Sequence, residues 1–177
     1  MSFLSNPNLD LTTSRIETER CILVPFSTDG RVDIRELQLE FCKANKDLYV
    51  WPHLPNYAEE MMFVEEVMRD MANGETFENF ILDEWTNRLI GCAGLNRAEE
   101  HRMNIWIWIR VDEHGKWYAT EAYTAIIQWA RENTIYAYLK HSLDPRNIAS
   151  RKLALKFGGI LQDETNEKWD EFYHIPL

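Results

Sequence analysis

The sequence predicts an α+β fold, a mixed and mostly antiparallel central sheet flanked by helices. Three observations predict it. Residues 77–111 read as a meander of three strands, Phe77–Leu82, Leu89–Leu95 and Asn104–Val111, with a turn over Trp85–Asn87. After Asn104 a strand, a helix and a strand follow one another, which implies a parallel pair, because parallel neighbours need a long crossover. Other segments repeat apolar residues at helical spacing, most clearly Met61, Val64, Met68 and Met71 with acids on the opposite face.

The elements follow in order. Arg15–Phe26 is a strand, most apolar at Ile22, Leu23, Val24 and Phe26. Ser27 or Thr28 caps a helix that carries Ile34, Leu37 and Phe41. "LYVWPHLPNY" is a Pro-punctuated loop, and the helix from Tyr57 stops before Gly74. Gly91 and Gly94 inside a strand predict a bulge or a close approach of another backbone. "IWIWI" is apolar throughout, so that strand is covered on both faces. The helix from Tyr118 turns Ala119, Ala122, Ile126, Ile127 and Ala130 inward, and Ile135–Leu143 is a strand. "DPRNIASRKLALKFGG" is a helix closed by Gly158, and two short strands end the chain. The order is βααβββαβαββ. The 177 residues make one domain, with residues 1–12 a loose tail.

Composition excludes several classes. No apolar run has the length of a membrane span, and the N-terminus lacks the basic flank and apolar core of a secretory signal. The three cysteines are far apart and unpaired in motif, which predicts reduced thiols in a cytoplasm and no metal site. A formal net charge of −10 disfavours nucleic acid and anionic membranes. It suits a cationic partner such as an amine, or serves solubility alone.

The stretch "DEHGKWYATEA" runs from a tight loop into a helix, the geometry of an anion site, since successive N–H groups converge at a helix N-terminus. Together with "IETERCILVPF", "DLYVWPHLP", "NRLIGCAGLN" and "DPRNIASRKLALKFGG", in that order and spacing, it resembles the GNAT superfamily of acyl-CoA N-acyltransferases, and within it the RimJ/RimL branch. The resemblance covers nearly the whole chain. It implies the GNAT sheet, whose parallel strands splay to admit a thioester, and acetyl-CoA as acyl donor.

Carried over residue by residue, it implies that the amides of Gly115, Lys116, Trp117, Tyr118, Ala119 and Thr120 hold the pyrophosphate of coenzyme A, with His114 ordering the loop through a ring nitrogen. Ile109, Arg110 and Val111 would bond the pantetheine arm, as would Asn147, which can also be a helix cap. Arg151 and Arg146 would meet the 3′-phosphate, and Ser150 would protonate the leaving thiolate. Trp51, Trp106 and Trp108 would surround the acceptor, with Tyr49 beside them.

Three departures stand out. Trp117 and Trp106 replace glycines, and Asn104 stands where the branch carries Glu as base. A left-handed Trp117 would cost about 1–2 kcal/mol. The remaining base candidates are Glu171, Asp170, His174 and His53. The resemblance implies direct acetyl transfer to a primary amine, either a protein N-terminus or a small amine, and a possible homodimer. The departures leave open a second reading, a module that binds coenzyme A or a partner without transferring.

Overall fold

The computed structural model describes residues 3–47, 55–99, 102–163 and 171–177. The strands are β1 (Ile16–Glu17), β2 (Cys21–Pro25), β3 (Phe77–Asp83), β4 (Leu89–Glu99), β5 (Arg102–Ile109), β6 (Tyr138–Leu143), β7 (Ile160–Leu161) and β8 (Glu171–Pro176). The helices are α1 (Ile34–Asn45), α2 (Tyr57–Ala72), α3 (Tyr118–Asn133) and α4 (Ile148–Lys156). All eight strands lie in one sheet, β1-β2-β3-β4-β5-β6-β8-β7. Among the described residues only β5 and β6 run parallel, as the strand–helix–strand succession requires. No described helix is long and apolar enough to cross a membrane.

Helices cover both faces. Trp129 of α3 stacks on Phe77 with ring centroids 3.8 Å apart, whereas Phe80, on the opposite face of β3, stacks on Phe26. Phe26 also meets Phe63 of α2, and Phe41 of α1 meets Trp108 edge-on. The alternation of β3 and β5 thus feeds two apolar layers. The expected close approach at the strand glycines is present. A Cβ on Gly91 would strike the Trp108 carbonyl, and one on Gly94 the Glu78 carboxylate. The expected bulge is there too, at Ile90, where the β3–β4 register shifts.

Three expectations are corrected. Arg15–Phe26 is a hairpin, because Thr18 N–H bonds the Cys21 carbonyl and Cys21 N–H donates back to Thr18 Oγ1, which turns the chain and pairs Ile16 with Leu23. The cap of α1 is Asp33, which accepts from Arg35 N–H; Gly30, at φ 86°, turns the chain before it. The N-terminal tail is docked. Phe3, Leu4 and Leu11 are buried, Ser5 N–H bonds the Asn133 carbonyl, and Phe3 accepts from Ile135 N–H. Its few apolar residues find the end of α3, a contact without any local periodicity.

Candidate active site

The loop between β5 and α3 begins with a single helical turn, Val111–Glu113. His114 Nε2 donates to the Ile109 carbonyl at 2.8 Å and folds the loop back on its strand. Gly115 and Trp117 both have positive φ, 77° and 70°. Trp117 therefore occupies the left-handed region as the residue before α3, with no side-chain cap. Its ring is 70% exposed and lies under the Lys156 ammonium, 4.9 Å from the ring centre. The backbone bend survives the loss of glycine, and the side chain escapes outward. None of the N–H groups from Gly115 to Thr120 is hydrogen-bonded to a described residue; the first helical bond is Glu121 N–H to the Trp117 carbonyl. These six donors fit an anion such as a pyrophosphate.

The loop is braced from the β1–β2 hairpin. Glu121 accepts from Thr18 Oγ1, from Arg20 N–H and from the Arg20 guanidinium, at 2.6–2.8 Å. Arg20 also donates to the Lys116 carbonyl and lies over the Tyr118 ring. A second brace joins Arg88 to Asp112 and Glu113, with Lys116 on the other Glu113 oxygen.

Parallel pairing of β5 and β6 consists of one bridge, Asn104 with Lys140, and beyond it the edge of β5 is open. Arg110 N–H bonds Ile90 on β4. By strand alternation, the peptide groups that face the gap are those of Ile107 and the N–H of Ile109. Arg110 itself is turned away, and its side chain pairs with Glu36, Glu40 and Asp112. Of the three residues at the end of β5 expected to bond the pantetheine arm, Ile109 has the geometry and Arg110 does not. Val111 belongs to the helical turn.

Ser150 lies at the end of a buried polar chain. Tyr123 Oη is 2.8 Å from His141 Nδ1, and His141 Nε2 is 2.7 Å from Ser150 Oγ. Burial pushes the imidazole down to about 4, against the opposing pull of the Ile105 carbonyl, so the ring is neutral. Burial also raises Tyr123 well above its usual value, so the phenol keeps its proton. Tyr123 has no other acceptor among the described residues, hence its hydroxyl donates to Nδ1. Nε2–H then donates to Ser150 Oγ, and the serine hydrogen is left to point elsewhere. Asn147 caps α4 by accepting from Ser150 N–H, which fixes the serine backbone as well.

The other candidates separate. Arg151 and Glu171 form a two-pronged ion pair, and Tyr173 donates to the same carboxylate. That carboxylate is committed, and the guanidinium faces it rather than an open phosphate site. Arg146 is paired with Asp144. His174 stacks on Tyr138. Trp51, Tyr49, His53 and Asp170 lie outside the described residues.

Trp106 and Trp108 line a cavity of about 180 Å³ between α1, α2 and the sheet. Glu60 of α2 lines it too. Beside it, buried Glu78 accepts from Thr76 Oγ1. Burial pushes both Glu60 and Glu78 up to about 7, for Glu78 against the hydrogen bond from Thr76. Among the described residues no group of His, Cys, Asp or Glu is arranged to hold a metal.

Sequence reasoning missed His141, Tyr123, Glu121 and Glu60. Glu121 alone left a signal, since it sits in the quoted "ATEA". The others have no motif around them, and only folding brings Tyr123 and His141 to their partners and Glu60 to the cavity.

The acetyltransferase (GNAT) domain family matches residues 20–160. No curated protein matches the sequence. Among solved structures, an acetyltransferase from Agrobacterium tumefaciens superposes with a TM-score of 0.76 at 20% identity, over 96% of this chain and 98% of that one. An acetyltransferase from Salmonella typhimurium that modifies the N-terminal serine of a 50S ribosomal subunit protein gives 0.76 at 15% identity, over 93% and 99%. A RimL ribosomal alpha-N-protein acetyltransferase in complex with coenzyme A gives 0.77 at 15% identity, over 93% and 98%. At these identities the structural likeness is one of fold. The sequence match, which takes in the braced loop, the open strand edge and the Ser150 helix, places the chain in the GNAT acetyltransferase domain family.

Proposed function

We propose that the chain is an acetyl-CoA-dependent N-acetyltransferase that transfers acetyl directly to a primary amine, a protein N-terminus or a small amine. The observation that carries this reading is the run of six unpaired N–H groups, Gly115 to Thr120, beside the open edge of β5. Acetyl-CoA supplies the activated acyl group and the thiol that leaves.

The chain's own residues do the rest. The six amides hold the pyrophosphate, and the outward N–H of Ile109 and peptide groups of Ile107 hold the arm. The cap uses only Asn147 Oδ1, so its NH2 can donate to the same arm. Ser150 holds a proton toward the departing sulfur, and His141, with Tyr123 behind it, fixes which way the hydroxyl points. An amine acceptor is supported by the Salmonella neighbour, which modifies an N-terminal serine. The three thiols take no part. All are free, and burial raises Cys21 to about 11 and Cys92 well above its usual value.

Calorimetric titration with acetyl-CoA tests the reading. Saturable micromolar binding is expected. No saturation by either the wild type or Trp117→Gly would overturn it. Saturation without turnover on any amine would leave the module that binds without transferring. Once turnover is found, Ser150→Ala is expected to lower kcat about 100-fold with KM for acetyl-CoA nearly unchanged. An unchanged kcat would remove Ser150 from the chemistry.

A further inference from the structure

We propose that the cavity between α1, α2 and the sheet is the acceptor subsite, and that Glu60 there holds the ammonium of an amine whose apolar flank is about one ring in size. This rests on the transferase reading above and names its acceptor class.

Glu60 is an exception among the buried acids. Other buried acids of the described residues have partners. Glu40 pairs with Lys43, Glu113 with Arg88 and Lys116, and Asp144 with Arg146, while Glu78 accepts from Thr76 at one oxygen and leaves the other without a partner, turned toward Gly94 rather than a cavity. Glu60 is only 6% exposed, and its carboxylate has neither a hydrogen bond nor an ion pair with any described residue. It is not a cap either, because Asn56 and Glu59 already form the capping box of α2. An unpartnered buried carboxylate is costly and is kept where a ligand supplies the missing charge.

Its surroundings describe that ligand. Among the described residues Glu60 is the one charged group lining the cavity, whose other walls are mostly apolar, Phe41, Phe63, Trp106 and Trp108 among them. An ammonium beside Glu60 would meet aromatic faces as well as the carboxylate. The volume, about 180 Å³, is close to that of an engineered apolar cavity of about 150 Å³ that takes up benzene. A phenyl or a branched aliphatic group therefore fits, and a larger flank does not. Burial already holds Glu60 up to about 7, the mark of a carboxylate lacking a cation.

The test uses 2-phenylethylammonium and its neutral counterpart 2-phenylethanol, titrated into the full chain at neutral pH. Chemical shifts of the indole N–H groups report the binding. The wild type is expected to bind the ammonium at least tenfold more tightly than the alcohol, with the largest shifts at Trp106 and Trp108. Glu60→Gln keeps the volume, removes the charge and is expected to erase that preference. Retained acetyl-CoA binding by Glu60→Gln shows that the variant is folded. Should it not fold, Glu60→Asp serves, with a weakened preference expected. Equal wild-type affinities, no binding of either compound, or a preference that survives Glu60→Gln would overturn the subsite. Loss of acetyl-CoA binding in the wild type with amine binding intact would instead overturn the transferase reading alone.

Discussion

Trp117 shows how one residue can break a sequence rule while the geometry behind it persists. Its φ of 70° is one that side chains with a Cβ rarely adopt. The cost, about 1–2 kcal/mol, is tolerated because the loop is fixed on both sides of it. Arg20 grips the Lys116 carbonyl, and Glu121 N–H takes the Trp117 carbonyl. The exposed ring recovers part of the cost against Lys156. Trp117→Gly relieves the backbone and loses the ring, so its net stability change is expected to be below about 1 kcal/mol. Trp117→Ala loses the ring and keeps the strain. Urea unfolding should find it about 1–2 kcal/mol less stable than Trp117→Gly. Equal stabilities would mean that the left-handed bend relaxes in the alanine variant.

At the scale of elements, the β1–β2 hairpin and α3 behave as one unit. Two segments a hundred residues apart, "IETERC" and "ATEA", meet at Glu121, which accepts from Thr18 and twice from Arg20. Their joint presence in one sequence is thus a single contact that aims the N-terminus of α3. Glu121→Gln replaces charge-assisted bonds by neutral ones and is expected to cost about 2 kcal/mol. It should also weaken acetyl-CoA binding severalfold, although Glu121 touches no ligand, because the six amides lose their fixed aim. Full stability with intact affinity would show that the brace is dispensable.

At the scale of the whole molecule, buried titratable groups set the response to pH. Glu78 has an ordinary value of 4.5 and is held up to about 7 by burial. A carboxyl raised in the folded state binds more protons folded than unfolded, so its stabilisation is present at low pH and is lost as pH rises from about 4.5 to about 7. Glu60 acts in the same direction. His141, pushed down to about 4 by burial, acts oppositely and loses stability as pH falls from 6.5. Glu78→Gln mimics the neutral acid. Relative to the wild type it should gain stability on the order of 3 kcal/mol at pH 8 and little at pH 5. A difference that does not change between the two pH values would show that Glu78 is not neutralised by folding.

The element order from α1 onward and the one parallel pair are legible in the sequence, because both depend on local spacing: alternation for strands and 3.6-residue repeats for helices. The amides from Gly115 to Thr120 and the hydroxyl of Ser150 are marked only by the resemblance to the GNAT superfamily. Local spacing misled at Arg15–Phe26, because a turn closed by the Thr18 hydroxyl leaves no glycine or proline to announce it. It misled again at residues 1–12, where three scattered apolar side chains dock on distant backbone. Which charges are left without a partner emerges only on folding. Arg151 and Glu171, both plausible in sequence, neutralise each other. Glu60, one acid among many in α2, is the one left facing an apolar cavity. Partnership between charges is a property of space, set by which faces the sheet and helices bring together, and no spacing along the chain encodes it.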